Sequence, residues 1–511
     1  MYKPELATVA TALGRVLGPQ PADLPWLWGY DPQALAHAVT ARMMALEQQA
    51  AQTPCPRILL VTGDPLAFWA GFLGALAVPS VLFLGNPAWG SAEWHQVLTL
   101  AQPQVIWGDY PRDRAAQPGD RPWDRWQYWD QSYPCDRPVP ALAPGWILIP
   151  TGGTSGRLRF VIHTEASLRA AVGGLQRSGL VSAPGQIHSF CTLPWHHVSG
   201  LMQGLRSLFT GGQLISLSFK TLEQQIQDCP EPLATYPLSS RPFFLSLVPT
   251  QLQRLLQHPQ AVPGLTQFQA IFLGGAPPWP ALLDRGRALQ LPLAPTYGMT
   301  ETAAQIATLN PVDFLGGQGG CGQVLPHGQV QVVAGDQGLP PGAVGQIQIR
   351  SASLALGYYS LDPKTQAPRL DRWSASPFQP DDLGIMDSMG CLQVVGRSSD
   401  KIITGGENVF PVEVESAIRG TGLVADVAVL GMPDALWGEA VVAVYGPVEA
   451  GAGEGLGALR RILRSQMAPH KCPKYWLKVD LLPRNDQGKI DRQRLKALVE
   501  LQHLDLRDTP S

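Results

Sequence analysis

Charge is sparse in this 511-residue chain: 15% of residues are Asp, Glu, Lys or Arg, and the formal net charge is −2. Without a basic excess there is no field to attract a nucleic-acid backbone or an anionic bilayer, so neither is expected as a partner. Cysteine is scarce as well. The seven cysteines are scattered and odd in number, with no C-x-x-C pair and no zinc-like spacing. That pattern argues against a disulfide framework and fits free thiols in a reducing cytoplasm. The opening stretch, MYKPELATVATALGRVLGPQ, has no long apolar run, so no secretory leader is expected. Internal repeats are missing too.

Long runs that are both uncharged and strongly apolar are nearly absent. The exception is LAFWAGFLGALAVPSVLFLG, Leu66 to Gly85, whose length matches a bilayer span. Pro79 and Ser80 divide it into a helix-like half and a strand-like VLFL. A buried helix feeding a buried parallel strand is the expected form, and the protein is expected to be soluble.

What is abundant points to an enzyme-like α/β chain. Hydrophobic residues make up 45%, and 53 glycines and 48 prolines imply many turns. The length requires at least two domains. Short apolar runs ending in Gly, Pro or Asp (RILLVTG, SVLFLG, PQVIWGD, GWILIPTGG, FFLSLVPT, AIFLGGAPP) alternate with helical patterns, the mark of α/β layers with parallel strands. Ligands gather at the carboxyl ends of such strands. Between Asp109 and Pro144 the chain turns Pro-, Asp- and Trp-rich, a surface excursion packed down by its tryptophans.

One of those strand ends is PTGGTSGRLRF, Pro150 to Phe160. Its glycines let an anion approach the main chain, and its N–H groups and hydroxyls can converge on phosphate. It lacks the Lys-Ser/Thr of a kinase-type P-loop. Downstream, TYGMTETAAQ offers an aromatic, hydroxyls and the carboxylate of Glu301, which could hold Mg²⁺ with phosphate oxygens or simply sit beside a helix start capped by Thr300. Asp382 could accept two ribose hydroxyls with Arg397 donating to it, or be a turn aspartate. Lys489, in LPRNDQGKIDR, reads in isolation as a solvated surface charge.

Taken together, Thr151 to Arg159, TYGMTET, Asp382, VGRSSDKIITGGENVFPVEVE and LPRNDQGKIDR resemble, in order and spacing, the acyl-adenylating superfamily of acyl-CoA ligases, luciferases and peptide-synthetase adenylation domains. Two segments, LPWHHVSGLMQGLRSLFTGG and SLVPTQLQRLL, resemble more closely the branch that activates 2-succinylbenzoate in menaquinone and phylloquinone biosynthesis. The resemblance implies an α/β fold with a large N-terminal domain of layered sheets and helices (1–396), a hinge (397–400) and a smaller mobile α+β C-terminal domain (401–511). ATP, Mg²⁺ and coenzyme A are the expected cofactor and co-substrates, with a small carboxylic acid as the other partner.

Carried over by residue, Thr151, Gly152, Gly153, Thr154, Ser155 and Gly156 match the phosphate loop, and Gly274, Gly275 and Ala276 the adenine-side turn. Tyr297 matches the adenine stacker, Thr300 and Glu301 the phosphate and metal positions, and Asp382 with Arg397 the ribose pair. Lys489 is then the adenylation lysine, and Gly405 and Gly406 belong to the loop that serves the thiol step. His197 lines the acyl pocket in this reading, with His196 beside it raising a question of register. Ser199, Arg206 and Gln305 are candidates for the acid, Arg206 being otherwise a helix-surface charge. Two departures stand out: Arg159 replaces the loop's usual lysine, and Ser399 replaces the usual Asp or Lys of the hinge, followed by Asp400.

Overall fold

The computed structural model describes residues 26–51, 53–109, 126–128, 140–152, 158–182, 185–229, 231, 233–373, 377–434, 436–447, 455–484 and 490–506. The described residues build three sheets before Ser398 and a fourth after it.

The uncharged segment from Leu66 resolves as its prolines suggested. Asp64 caps the helix Pro65–Ala77, its carboxylate accepting from Ala67 N at 2.7 Å, and Pro65 occupies the first turn, where no N–H is needed. The helix stops at Val78, which is extended ahead of Pro79. Strand Val81–Gly85 then runs parallel to Arg57–Val61, fully buried. Both pieces are apolar because both are covered on every side. No described helix is long and apolar enough to cross a membrane.

The first sheet has eight strands, and Arg57–Val61, Val81–Gly85, Val105–Gly108 and Trp146–Gly152 form its parallel part. Trp146–Gly152 is parallel to Val81–Gly85 as expected, and on its other side it pairs antiparallel with Leu158–Thr164, the strand that follows the glycine-rich stretch. Most of the Trp-rich excursion lies outside the described residues, but Trp126–Tyr128 adds an antiparallel edge to Val105–Gly108. The second sheet has seven strands, with Ala270–Leu273 central and parallel to both Phe243–Leu247 and Leu293–Met299. A five-stranded antiparallel sheet carries Asp382–Met386 and Leu392–Arg397.

Close packing between layers depends on glycine at one contact in particular. A Cβ on Gly204 would lie 1.9 Å from the Trp69 ring, so only glycine lets helix Val198–Thr210 seat against the aromatic group of Trp26, Phe68, Trp69 and Trp195. Each such buried side chain contributes about 1.5–3 kcal/mol of transfer free energy.

The last sheet comprises Ile402–Thr404, Glu407–Val409, Val424–Asp434, Gly438–Pro447 and Tyr475–Lys478, covered by helices Pro411–Gly420, Gly455–Gln466 and Arg492–Leu506. Its hydrophobic clusters contain no residue before Ile402. This is a separate C-terminal domain with its own core. The six described cysteines are free.

Candidate active site

The hairpin register sets the first part of the site. Thr151 pairs with Arg159 and Gly152 with Leu158, and Gly153, Thr154, Ser155 and Gly156 lie outside the described residues. Arg159 also pairs with Ser360 on strand Gly357–Leu361, which brings Tyr358 alongside it. The Arg159 guanidinium lies 4.0 Å from the centre of the Tyr358 ring, and its Nη2 is 3.4 Å from Glu301 Oε1. Tyr358 donates its hydroxyl to that same oxygen at 2.6 Å. Burial first, then the Glu301 charge, push the Tyr358 hydroxyl above its ordinary pKa, which keeps it a donor. The planar fork of arginine can stack on a ring and face a carboxylate together. Sequence reasoning left Arg159 without a partner and missed Tyr358 altogether, because an aromatic on a strand reads as core.

Glu301 is presented by a strained reversal. Strand Leu293–Met299 ends in the single 3-10 turn Thr300–Thr302, and Ala303 and Ala304 take positive φ (52° and 74°) before strand Ala304–Thr308 returns antiparallel. Non-glycine residues adopt that region at a cost, and it clusters at functional sites. A Cβ on Gly298 would meet the Ala304 carbonyl at 1.9 Å, so the reversal also requires glycine there. Thr300 does not cap a helix. Its carbonyl accepts from His163 Nε2 at 2.7 Å, and His163 Nδ1 lies 2.9 Å from Ser167 Oγ. Burial pulls the His163 pKa down to about 4, so the ring is neutral and Nε2 carries its proton. His163 is a second supporting residue that the sequence did not mark.

The metal position can be tested on the groups present. Glu301 is buried, only Oε1 of its carboxylate is engaged by described residues, and no cluster of three His, Cys, Asp or Glu occurs among them. One carboxylate leaving most of the shell to water and phosphate is how Mg²⁺ is usually held beside a nucleotide. A site for zinc or calcium would need more ligands from the protein.

At the residues expected to hold the nucleoside, Tyr297 donates to Asp382 Oδ2 at 2.7 Å, while Asp382 Oδ1 lies 3.4 Å from Arg397 Nε. Asp382 and Arg397 face each other across neighbouring antiparallel strands. Burial and then the Asp382 charge raise the Tyr297 pKa, so its phenol remains protonated. Gly274 packs under the Tyr297 strand, where a Cβ would press on Thr296 Cγ2 at 2.9 Å. Gly275 follows with φ +79°, and Ala276 is exposed beside it. Three separate sequence predictions thus fall into one contact group.

The residues expected to meet the acid lie on and around helix Val198–Thr210. His197 precedes its first turn, Ser199 is exposed on that turn, and His196 is buried with its ring 4.2 Å from that of His197. Burial, and then His197, pull the His196 pKa down to about 2, leaving it neutral. Arg206 is no surface charge. It is 5% exposed, its Nη2 donates to Gln305 Oε1 at 2.5 Å, and its guanidinium is 5.5 Å from the Phe272 ring centre. No carboxylate among the described residues pairs with it. Gln305 in turn donates to Thr308 Oγ1 at 3.1 Å, which lies 3.0 Å from Thr296 Oγ1. A polar string therefore runs from the buried cation to the strand that carries Tyr297.

In the C-terminal domain, Gly405 and Gly406 form a two-residue hairpin turn with φ +58° and +85°, the combination that mirror-image turns require. No hydrogen bond among the described residues joins that turn to Glu301 or Asp382. Lys489 lies outside the described residues. Ser399 donates its N–H and hydroxyl to the Asp381 carboxylate, and Asp400 Oδ2 is 3.4 Å from Arg492 Nε.

A carboxylate facing Arg159 on the strand that follows a glycine-rich segment, together with an Asp–Arg pair and a buried cation, suits an enzyme that joins a nucleotide to an acid. Residues 35–359 match the family described as AMP-binding enzyme, and residues 413–489 match the AMP-binding enzyme C-terminal domain. The chain belongs to this family. Among its relatives, a 2-succinylbenzoate–CoA ligase of Listeria monocytogenes is 33% identical over 374 residues, 71% of this chain and 73% of that protein. An indoleacetate–CoA ligase of Aromatoleum aromaticum is 31% identical over 353 residues, 68% of this chain and 66% of that protein. The fold is that of o-succinylbenzoate CoA synthetase from Bacillus subtilis, solved with its acyl-adenylate intermediate (TM-score 0.73, 22% identity, 96% of this chain and 97% of that one).

Proposed function

We propose that this AMP-forming ligase activates 2-succinylbenzoate, first as the acyl-adenylate and then as the CoA thioester, in menaquinone or phylloquinone biosynthesis in the cytoplasm. The observation that carries the choice of acid is Arg206. A buried cation met only by a neutral amide and an aromatic ring among the described residues is costly, and a substrate carboxylate would give it the missing charge. 2-Succinylbenzoate has one carboxylate to activate and one to spare for this site. The relatives that bear that name support the reading.

The first half-reaction brings a carboxylate onto the α-phosphate of ATP, so neutralisation and alignment dominate the barrier. Thr151 to Gly156 cradle the terminal phosphates, Arg159 faces them across the hairpin, and Tyr297, Gly274, Gly275 and Ala276 hold the adenine, with Asp382 and Arg397 on the ribose. Mg²⁺, when bound at Glu301, supplies charge neutralisation on the phosphate oxygens. Tyr358 and the His163-braced turn keep Glu301 aimed, and His197 and Ser199 line the acid. Lys489 serves adenylation alone. The domain after the 397–400 hinge then turns, bringing Gly405 and Gly406 to the site so that the CoA thiol reaches the acyl carbonyl.

A second acid class is kept in view by the indoleacetate-activating relative. AMP release dependent on CoA, measured across 2-succinylbenzoate, indoleacetate and a long-chain fatty acid, decides between them. Activity with the fatty acid and none with 2-succinylbenzoate overturns the proposal.

A further inference from the structure

The hinge departure noted in the sequence has a structural counterpart on the other side of the pivot. Ser399 directs both its main-chain N–H, at 3.3 Å, and its hydroxyl to one oxygen of Asp381, and Ser398 N donates to the Asp381 carbonyl at 2.8 Å. Asp381 is itself immobilised: the Gln346 amide donates to the carbonyls of Pro380 and Asp382, the residues on either side. Beyond the pivot, Arg492 Nε lies 3.4 Å from Asp400, Nη2 is 3.1 Å from Glu415, and Nη1 donates to the Val429 carbonyl at 2.7 Å. Ser399 thus sits between a fixed anchor in the first domain and one in the second.

We propose that Asp381 is a positioning residue that clasps Ser399 and biases the C-terminal domain toward one of its two working orientations; this rests on the two-step reading above. The geometry explains how. Rotation about the N–Cα bond of Ser399 leaves the N–H where it is but carries Oγ away, so two bonds to one carboxylate oxygen restrain φ. Rotation about the following Cα–C bond disturbs neither. The clasp therefore narrows the pivot to one torsion while leaving the domain free to turn. Serine suits this role because its short hydroxyl reaches a neighbouring carboxylate, where an aspartate at the pivot would repel it. Asp381 also adjoins Asp382, which places the clasp next to the ribose position. Both partners are exposed, so the bias is modest, on the order of 3- to 10-fold in the balance of orientations.

The test uses the full chain. In Asp381→Ala, acyl-adenylate formation and thioester formation from preformed acyl-adenylate should move in opposite senses, their ratio changing by roughly 3- to 10-fold. Trypsin cleavage after Arg397 or Lys401 should accelerate. Ser399→Ala should shift the ratio in the same sense but less, since the N–H bond survives, and Asp381→Asn, which keeps an acceptor, should restore much of it. Equal scaling of both half-reactions, or unchanged cleavage, overturns the clasp. Lys489→Ala run in parallel separates the two ideas: equal slowing of both steps there faults domain rotation itself, whereas a separated Lys489→Ala beside an unresponsive Asp381→Ala faults only the clasp.

Discussion

Replacing Arg206 with methionine should make the free protein more stable and a poorer enzyme for its dicarboxylate. Burial lowers the Arg206 pKa from 12.5 to about 10, with Cys191 the opposing influence. At about 1.4 kcal/mol per pKa unit, carrying the charge in the folded state costs on the order of 3 kcal/mol. The sign follows from proton counting. Between those two pKa values the unfolded chain binds more protons than the folded one, so stability would rise with pH only above about 10. At neutral pH the cost is fully present. Methionine has similar length and no charge to desolvate, so the variant should gain about 1–3 kcal/mol in denaturant unfolding once the lost Gln305 hydrogen bond is subtracted.

Binding should move the other way. A carboxylate meeting a desolvated guanidinium makes charge-assisted hydrogen bonds worth about 1.5–3 kcal/mol, a roughly 10- to 150-fold rise in apparent KM for 2-succinylbenzoate. A monocarboxylate such as indoleacetate, with nothing to offer Arg206, should be nearly unaffected. The assays are a urea titration of the free protein and AMP release with each acid. A variant that is less stable and weakens both acids equally would show that Arg206 holds helix Val198–Thr210 against Phe272 and contributes nothing to choice of acid.

Glu301→Gln should raise the Mg²⁺ concentration needed for ATP binding by about tenfold or more, read by calorimetry at varied Mg²⁺, and an unchanged titration would leave Glu301 as a partner for Tyr358 alone. Acid should destabilise the fold early: burial holds His163, His188 and His327 near a pKa of 4, so between pH 6.5 and 4 the unfolded chain binds the extra protons and stability is lost as the pH is lowered. His163→Gln should flatten that slope in pH-dependent urea midpoints, and an unaltered slope would remove His163 from the account. Lys489→Ala should cut adenylation by on the order of 10²-fold while sparing thioester formation from preformed acyl-adenylate, and Gly406→Leu should do the reverse. Parallel loss of both steps in either variant would contradict a division of labour between them.

What could be read from the sequence was whatever a short contiguous pattern encodes. The helix–strand break at Pro79 and the strands ending in glycine depend on local backbone rules, and both formed in their expected places. The group of Tyr297, Asp382 and Arg397 was legible in a weaker sense, because motif spacing placed each residue but not the 2.7 Å bond that joins two of them. The supporting residues were invisible for a physical reason. Tyr358, His163 and Asp381 act through partners 57, 137 and 18 residues away, across strands whose register no local pattern specifies. Arg206 shows the limit most sharply. A cation on an amphipathic helix is assigned to solvent by periodicity, yet this helix is covered on opposite sides: Gly204 faces Trp69, while Arg206, two residues on, meets Gln305 and Phe272. Burial on both sides of a helix is set by layers distant in sequence, which is why the enclosed arginine went unread, and an enclosed arginine with no carboxylate partner among the described residues is where a substrate anion is best sought.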